Sequence, residues 1–275
     1  MPRISLNGDE VRYLDVGAGP TVLFLHGWGL DHRAYRGVVK RIAREQVRVL
    51  APSLPGFGGT GELPSDTHSI VGYGAWVNRF VTNVVPEGTV AVIGHSFGGA
   101  VAIQFAHDFS DRVSSLLLVN SIGGAAWTAG GVLSTMAKRP LWDWGLHFPG
   151  DVWPLRHATR VLPVIITDAM VNMFSNPRAY LRVAGLARRA DMTTQLETLR
   201  DRGLPVTVLW GHRDAIVPRA SFEAMCAALG TQGTVVKGSH TWILGEPDAF
   251  GELITNDPRI AALVKRPLEQ VPGRN

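Results

Sequence analysis

Apolar runs of strand length alternate with helical patterns along most of this 275-residue chain. The runs, each bounded by turn residues, predict strands at Ile4–Leu6, Val11–Val16, Thr21–Leu25, Val47–Leu50, Thr89–Ile93, Val113–Val119, Pro205–Trp210 and Thr234–Val236. The helical patterns cover Ala34–Arg44, Ile70–Val85, Gly98–Phe109, Arg219–Leu229 and Asp248–Lys265. Asn7-Gly8-Asp9 between the first two runs predicts a hairpin. Because continuous apolar runs are typical of strands buried on both faces, we predict an α/β fold with a mostly parallel central sheet and an N-terminal antiparallel hairpin.

The alternation stops between residues 122 and 202 and then resumes. This segment has helical patterns and half of the eight tryptophans: Trp127, Trp142, Trp144 and Trp153. Ligand crevices in open α/β sheets lie at the carboxyl ends of the strands, and the segment begins just after such an end. We therefore predict a helical cap of residues 122–202 inserted in a core of residues 1–121 and 203–275; ordinary long crossovers are the alternative. Within the cap, Trp153 and Phe174 are the candidates for contact with substrate.

The composition narrows the classes of protein to which the chain can belong. Hydrophobic residues make up 45% of it and charged residues 18%, which is enough apolar material for a sizeable core. The single cysteine, Cys226, excludes an intramolecular disulfide and fits a reducing compartment, so we expect a cytoplasmic protein. The net charge is +4 and the basic residues are scattered, whereas nucleic-acid binding needs a clustered basic stripe. We therefore expect no nucleic-acid partner.

Targeting and membrane signals are weak in this sequence. A basic residue already stands at Arg3 and no apolar stretch follows it, so no signal peptide is predicted. The most apolar stretch, Val161–Phe174, contains Pro163 and Asp168 and is too short to span a bilayer. No transmembrane segment is predicted.

One serine lies at the junction of a predicted strand and a predicted helix. Gly94-His95-Ser96-Phe97-Gly98 fits the pattern G-x-S-x-G, with an apolar run before it and a helical pattern after it. Such a serine occupies a sharp, strained turn, where side chains in place of the two glycines would collide with the adjoining strand and helix. Ser96 is therefore the candidate nucleophile, and a serine that only caps the helix is the alternative.

A serine hydroxyl needs a base that takes its proton, and a histidine oriented by a carboxylate serves this purpose. With a turn of this kind, the order along the chain is serine, acid, histidine. Asp214 follows the Pro205–Trp210 run, and His240 follows the last run and is the only histidine beyond Asp214. Asn120 ends the preceding run, where an acid can also lie, but an amide cannot carry the negative charge. We predict Asp214 as the acid and His240 as the base.

Two backbone N–H groups are predicted to stabilise the oxyanion of a tetrahedral intermediate. One belongs to Phe97, directly after the candidate nucleophile, and the other to Trp28, in the glycine-rich loop after the Thr21–Leu25 run. His95 is interpreted as a packing residue or a hydrogen-bond partner. No metal site is predicted, because His212 has no His, Cys or carboxylate partner at metal-like spacing.

A glycine-rich stretch, Gly56-Phe57-Gly58-Gly59-Thr60-Gly61, matches the dinucleotide fingerprint G-x-G-x-x-G. Its context does not fit: Pro52 and Pro55 separate it from the preceding apolar run, and Glu62-Leu63-Pro64 follows in place of an apolar helix. We expect a tight loop beside the active site and no cofactor.

Five motifs together make the chain resemble the α/β-hydrolase superfamily over nearly all of its length outside the predicted cap. They are His26-Gly27-Trp28-Gly29, Leu54-Pro55-Gly56-Phe57-Gly58, Gly94-His95-Ser96-Phe97-Gly98-Gly99, Gly211-His212-Arg213-Asp214 and Gly238-Ser239-His240. The resemblance implies the α/β-hydrolase fold, a Ser-Asp-His triad, and esterase, lipase, C–C-bond hydrolase or cofactor-free haloperoxidase activity. Epoxide hydrolases and haloalkane dehalogenases are similar, but they place an aspartate where this chain has Ser96.

Within the superfamily, the chain is similar to carboxylesterases that act on acyl-carrier-protein methyl esters. The similar motifs are His26-Gly27-Trp28-Gly29-Leu30, Leu54-Pro55-Gly56-Phe57-Gly58 and Asp214-Ala215-Ile216-Val217-Pro218-Arg219. This resemblance implies an acidic acyl carrier protein as a partner, held by basic residues of the cap: Arg178, Arg182, Arg188 and Arg189. A solvated helix face is the alternative interpretation of these arginines.

The predicted reaction is hydrolysis of a small-molecule carboxylic ester with a largely apolar acyl group, through an acyl-enzyme on Ser96. C–C-bond hydrolases also have a tryptophan near the catalytic histidine, which makes Trp242 a further candidate for substrate contact. Theirs directly follows the histidine, whereas Thr241 intervenes here. Acyl transfer on the same triad is another alternative, and a non-catalytic ligand-binding or sensing protein is the alternative from a different class.

Overall fold

The computed structural model describes residues 1–6, 8–124, 159, 161–164 and 166–265. Their strands are β1 Arg3–Leu6, β2 Asp9–Val16, β3 Thr21–Leu25, β4 Arg48–Pro52, β5 Val90–His95, β6 Val113–Val119, β7 Val206–Gly211 and β8 Thr234–Val236. They form one sheet in the order β1-β2-β4-β3-β5-β6-β7-β8. β2 pairs antiparallel with both β1 and β4, and all the other pairs are parallel. The predicted hairpin and the predicted mostly parallel sheet are both present.

Helices cover both faces of this sheet. The α-helices with described bounds are α1 Arg36–Ala43, α2 Ile70–Val84, α3 Phe97–Asp108, α4 Val171–Ser175, α5 Pro177–Arg189, α6 Thr193–Asp201, α7 Arg219–Leu229, α8 Trp242–Gly245, α9 Pro247–Asn256 and α10 Pro258–Val264. Alternate residues of β3 belong to two separate apolar clusters: Leu23 and Leu25 pack with α2, α3 and α7, while Val22 and Phe24 pack with α1 and α8–α10. The period of two along the strand thus divides the core between the two faces.

The C-terminal helical pattern, predicted as one helix over Asp248–Lys265, forms two helices that meet at Asp257. Pro258 has no backbone N–H to donate, and it disfavours helical backbone at the residue before it. Asp257 instead caps α10, because its side chain accepts a hydrogen bond from the N–H of Arg259 at 2.9 Å. The prediction of one continuous helix was wrong because it overlooked this proline.

The predicted cap is described in part. Its described residues include a π-helix, Ile166–Met170, and the helices α4–α6, with an isolated bridge between Gly123 and Asp191. Trp127, Trp142, Trp144 and Trp153 lie outside the described residues. Among the residues that are described, no helix is long and apolar enough to cross a membrane. The division into core and cap stays a prediction.

The described cap helices contact two loops of the core. Asn172 of α4 donates to the carbonyl of Gly29 at 3.0 Å and accepts from the N–H of Gly58 at 3.0 Å. The indole N–H of Trp28 donates to the carbonyl of Tyr180, on α5, at 2.8 Å. The segment therefore binds the loops that follow β3 and β4, which lie at the carboxyl ends of parallel strands.

Candidate active site

Ser96 occupies the turn between β5 and α3 with a left-handed backbone, φ 54° and ψ −118°. A non-glycine residue holds such a conformation only when its surroundings impose it. A Cβ added to Gly94 would lie 2.6 Å from the Cα of Gly99, and one added to Gly98 would lie 2.3 Å from the carbonyl oxygen of Leu25. The two glycines therefore let β5, α3 and β3 approach closely enough to impose the turn at Ser96.

The structure brings the three predicted residues, Ser96, Asp214 and His240, into one hydrogen-bonded chain. The His240 Nε2 atom lies 2.9 Å from the Ser96 Oγ atom, and the His240 Nδ1 atom lies 2.8 Å from the Asp214 Oδ2 atom. All three residues are at most 9% exposed. Because a carboxylate only accepts hydrogen bonds, Nδ1 carries the ring proton and Nε2 presents its lone pair to the serine hydroxyl. This tautomer is the one that a base needs.

Four described donors surround the buried Asp214 carboxylate. Oδ1 accepts from the backbone N–H groups of Ile216 at 2.8 Å and Val217 at 2.7 Å. Oδ2 accepts from the side-chain amide of Asn120 at 2.6 Å as well as from His240. Buried charge is tolerated when hydrogen bonds replace the lost water, and this arrangement meets that condition.

Asn120 is a functional candidate that the sequence analysis missed. It lies at the end of β6 with φ 46° and is fully buried. Its Oδ1 atom accepts from the indole N–H of Trp242 at 2.9 Å. Because an indole N–H only donates, the amide oxygen must face Trp242 and the amide nitrogen must face Asp214. The available signal was the position of Asn120 at the end of a strand beside the acid, which the sequence analysis used only to reject it as the acid.

Trp242 lies in the core and not at an open surface. It is 2% exposed and packs edge-on against Phe250, with ring centroids 5.7 Å apart. Its predicted contact with substrate stays a prediction. Of the two cap candidates, Phe174 is 72% exposed and Trp153 lies outside the described residues.

The loop of residues 26–30, called the oxyanion loop below after its predicted role, lies directly beside the candidate nucleophile. A Cβ added to Gly27 would come within 3.3 Å of the Ser96 Cβ atom. Phe97 begins α3, so its N–H belongs to the helix N-terminus, where backbone donors have no intrahelical partner. The Trp28 ring packs against Tyr180 with centroids 4.4 Å apart. The oxyanion roles of Trp28 and Phe97 stay predictions.

His95 is a hydrogen-bond partner, one of the two interpretations made from the sequence. Its Nδ1 atom lies 2.8 Å from the Tyr35 hydroxyl, and its Nε2 atom lies 3.0 Å from the carbonyl oxygen of His240. The Tyr35 hydroxyl also accepts from the N–H of Gly27 at 3.1 Å. Burial lowers the pKa of His95 to about 3, so this ring is neutral at physiological pH.

A pair of carboxyl groups joins the π-helix to the segment after the oxyanion loop. Arg33 binds Asp31 at 2.7 Å and lies 3.7 Å from Asp168. Burial, and next the negative charge of Asp31, raise the pKa of Asp168 to about 7, while Arg33 opposes this shift. No pattern in the sequence indicated a role for this pair.

The glycine-rich stretch of residues 56–61 forms a tight loop. The N–H of Gly56 donates to the carbonyls of Thr60 and Gly61, each at 3.1 Å. Gly58 has φ 58°, and a Cβ there would lie 2.2 Å from the Ser53 Oγ atom. The loop folds back on itself and on the end of β4.

Residues 22–253 match the alpha/beta hydrolase family. The chain belongs to this family. The pimeloyl-[acyl-carrier protein] methyl ester esterase of Aeromonas hydrophila is 27% identical over 250 residues, which cover 86% of this α/β hydrolase and 95% of the relative. The predicted resemblance, the α/β-hydrolase fold and the assignment to the hydrolases are confirmed.

Solved structures share the fold of this α/β hydrolase. A thermophilic esterase from Thermogutta terrifontis superposes with a TM-score of 0.73 at 24% identity, covering 94% of this chain and 98% of the other. The enol-lactonase from Burkholderia xenovorans LB400 superposes with a TM-score of 0.74 at 18% identity, covering 93% and 98%. The fold that these structures share with this protein therefore extends over almost the whole chain.

Proposed function

We propose that this α/β hydrolase cleaves a small-molecule carboxylic ester through an acyl-enzyme on Ser96. The observation that carries the proposal is the hydrogen-bonded chain from Ser96 through His240 to Asp214, with distances of 2.9 and 2.8 Å. Relatives that are named esterases support the proposal that the bond cleaved is an ester.

His240 is the general base and then the general acid. Its Nε2 atom takes the Ser96 proton as Oγ attacks the ester carbonyl, and the resulting tetrahedral intermediate holds a negative oxygen. His240 then gives this proton to the leaving alcohol as the C–O bond breaks and the acyl group stays on Ser96. Water, deprotonated by the same Nε2 atom, attacks the acyl-enzyme and releases the carboxylic acid with a restored serine.

Asp214 holds the His240 tautomer and stabilises the imidazolium that forms in each step. Because its carboxylate already accepts three other hydrogen bonds, it is fixed in orientation and need not reorganise as charge develops. Asn120 contributes to this by donating to Oδ2, and Trp242 contributes indirectly by orienting the Asn120 amide.

The backbone N–H groups of Phe97 and Trp28 bind the oxyanion. The N-terminus of α3 adds a favourable field for negative charge at the same place. Loss of one such donor lowers kcat by about 10²- to 10³-fold in known enzymes. Neither group changes protonation during the reaction.

A largely apolar acyl group is the proposed substrate feature. A pair of aromatic side chains supports this proposal: Trp28 and Tyr180 pack together where α5 meets the oxyanion loop. An apolar pocket distinguishes chain lengths by only about 1–3 kcal/mol per methylene, so we expect broad tolerance.

An acyl carrier protein is the proposed carrier of the ester, by analogy with the Aeromonas hydrophila relative. The candidate docking residues are the arginines of α5: Arg178, Arg182, Arg188 and Arg189. Of these, Arg182 lies 3.4 Å from Glu62, so part of its charge is already paired.

Ser96→Ala tests the proposed function. We expect turnover of p-nitrophenyl esters to fall by about 10⁴-fold or more, because only oxyanion and binding effects remain. The matched control is Ser115→Ala, which removes another buried serine hydroxyl, bonded to the carbonyl of Leu263 at 2.7 Å. Ser115 pairs with Ala91 near the start of β5, whereas Ser96 follows the other end of that strand. Folded Ser96→Ala protein with turnover near that of the wild type would exclude the serine mechanism.

A further inference from the structure

We propose that Tyr35 and His95 are positioning residues that tie the oxyanion loop to the nucleophile and the base. The inference rests on the proposed ester hydrolysis and names two residues that the reaction needs but that touch no reacting atom. It starts from three hydrogen bonds that link the connection between β3 and α1 to the end of β5 and to the loop after β8. They run from Gly27 to Tyr35, from Tyr35 to His95, and from His95 to the main chain of His240.

The direction of each hydrogen bond follows from the one before it. The carbonyl of His240 only accepts, so the His95 Nε2 atom carries the ring proton. The buried ring is neutral, which leaves its Nδ1 atom as an acceptor, so the Tyr35 hydroxyl donates to it. The hydroxyl oxygen then accepts from the N–H of Gly27. The result is one directed chain in which each of these polar atoms has a partner.

Each end of this chain lies one residue or less from an atom of the proposed reaction. Gly27 precedes Trp28, whose N–H is the proposed oxyanion donor, and a Cβ added to Gly27 would lie 3.3 Å from the Ser96 Cβ atom. His95 precedes Ser96 and holds the carbonyl of the residue that acts as base. These hydrogen bonds thus set the positions of donor, nucleophile and base relative to one another, through groups on the β3–α1 connection, at the end of β5 and in the loop after β8.

The burial of the two side chains argues that this is a rigid connection. Tyr35 is 0% exposed and His95 is 2% exposed, so water does not replace a lost partner. The Tyr35 ring is held by Phe24, with centroids 4.9 Å apart, and by His95 at 5.6 Å. Because rates depend steeply on the alignment of reacting groups, small displacements at these loops are expected to lower kcat.

Tyr35→Phe tests the proposal, because it removes the hydroxyl and keeps the ring. We expect kcat for p-nitrophenyl butyrate to fall by about 10- to 100-fold with KM changed by less than about 2-fold, since two buried groups lose their partner while ground-state binding is kept. Affinity for a trifluoromethyl ketone, which forms a tetrahedral adduct with an active-site serine, should fall in parallel with kcat.

The matched control is Tyr73→Phe. Tyr73 is 1% exposed, and its hydroxyl donates to the carbonyl of Pro55 at 2.9 Å. The control therefore removes a buried hydrogen bond of similar length that does not belong to the series from Gly27 to His240. We expect the control to lose thermal stability and keep kcat. Equal losses of kcat in the two variants would overturn the positioning role, because they would indicate a general effect of buried hydroxyl groups.

A second variant keeps the test valid if Tyr35→Phe does not fold. In His95→Gln, the amide reaches the position of Nε2 and leaves the Tyr35 hydroxyl without its acceptor. We expect a loss of kcat similar to that of Tyr35→Phe. In the double variant, the activation free energy should rise by less than the sum of the two single effects, because both substitutions break the same series of hydrogen bonds. Folded single variants with wild-type kcat would overturn the proposal, whereas wild-type protein without ester turnover would overturn the proposed function instead.

Discussion

At the scale of single residues, Asn120 donates to the same Asp214 oxygen that accepts from His240. An aspartate at this position would place two carboxylates in contact, and one of them would have to keep a proton. With an amide, the negative charge stays on Asp214, and the Trp242 indole prevents the amide from turning its oxygen towards that carboxylate. The geometry explains why an asparagine suits this position.

Asn120→Leu should lower kcat by about 10-fold with little change in KM, because it leaves a buried Asp214 oxygen and the Trp242 N–H each short of a partner. Trp242→Phe should give a smaller loss in the same direction, since the amide keeps its place and loses only its orientation. Steady-state kinetics with p-nitrophenyl acetate on folded variants measures both. A wild-type kcat in Asn120→Leu would refute the positioning of Asp214 by this amide.

At the scale of elements, the π-helix Ile166–Met170 joins the core through the contact of Asp168 with Asp31 and Arg33. The folded protein keeps a proton on Asp168 up to about pH 7, whereas the unfolded chain releases it near pH 4. Between these pH values the folded state binds more protons, so this group makes the protein less stable as pH rises. The destabilisation by Asp168 reaches its full extent above about pH 7.

Asp168→Asn should therefore gain thermal stability over the wild type as pH rises from 4 to 7, because an amide keeps the hydrogen-bonding capacity without the charge. The quantity measured is the difference in Tm between variant and wild type across this range. The buried His26 and His95, whose pKa values are lowered to about 4 and about 3, destabilise both proteins alike in acid and cancel in this difference. A difference that does not vary with pH would contradict the assignment.

The sequence predicted most elements because each depends on local pattern. β3, β6, β8 and α7 have the predicted bounds, since apolar runs and helical periodicity are properties of neighbouring residues. The order serine, acid, histidine and the loop positions located Ser96, Asp214 and His240, because strand ends meet at one edge of a parallel sheet.

What the sequence did not predict depends on contacts between distant residues. Tyr35 stands within a predicted helical pattern, and nothing near it in the chain indicates that its hydroxyl reaches His95, 60 residues away. Asn120 and Trp242 are 122 residues apart, and their hydrogen bond exists only once β6 and α8 pack together. Such partners are set by tertiary packing and not by local pattern.

At the scale of the whole molecule, the sheet holds the core while the predicted cap supplies exposed apolar side chains. Phe174→Ala should change the ratio of kcat/KM between long and short p-nitrophenyl esters with little change in Tm, because its side chain is 72% exposed. The control is Val71→Ala, an exposed apolar residue on α2 that is 55% exposed. An unchanged ratio in Phe174→Ala would count against its contact with the acyl chain.

The central claim is that Ser96 is the nucleophile of an ester-cleaving α/β hydrolase, held by His240 and Asp214. Its most direct test is the site of covalent modification by a fluorophosphonate, located by mass spectrometry of peptides from the wild-type protein after complete inhibition. The account predicts one phosphonyl group on Ser96, with no modification in the His240→Ala variant under the same conditions. Inhibition with the phosphonyl group on any other residue would contradict it.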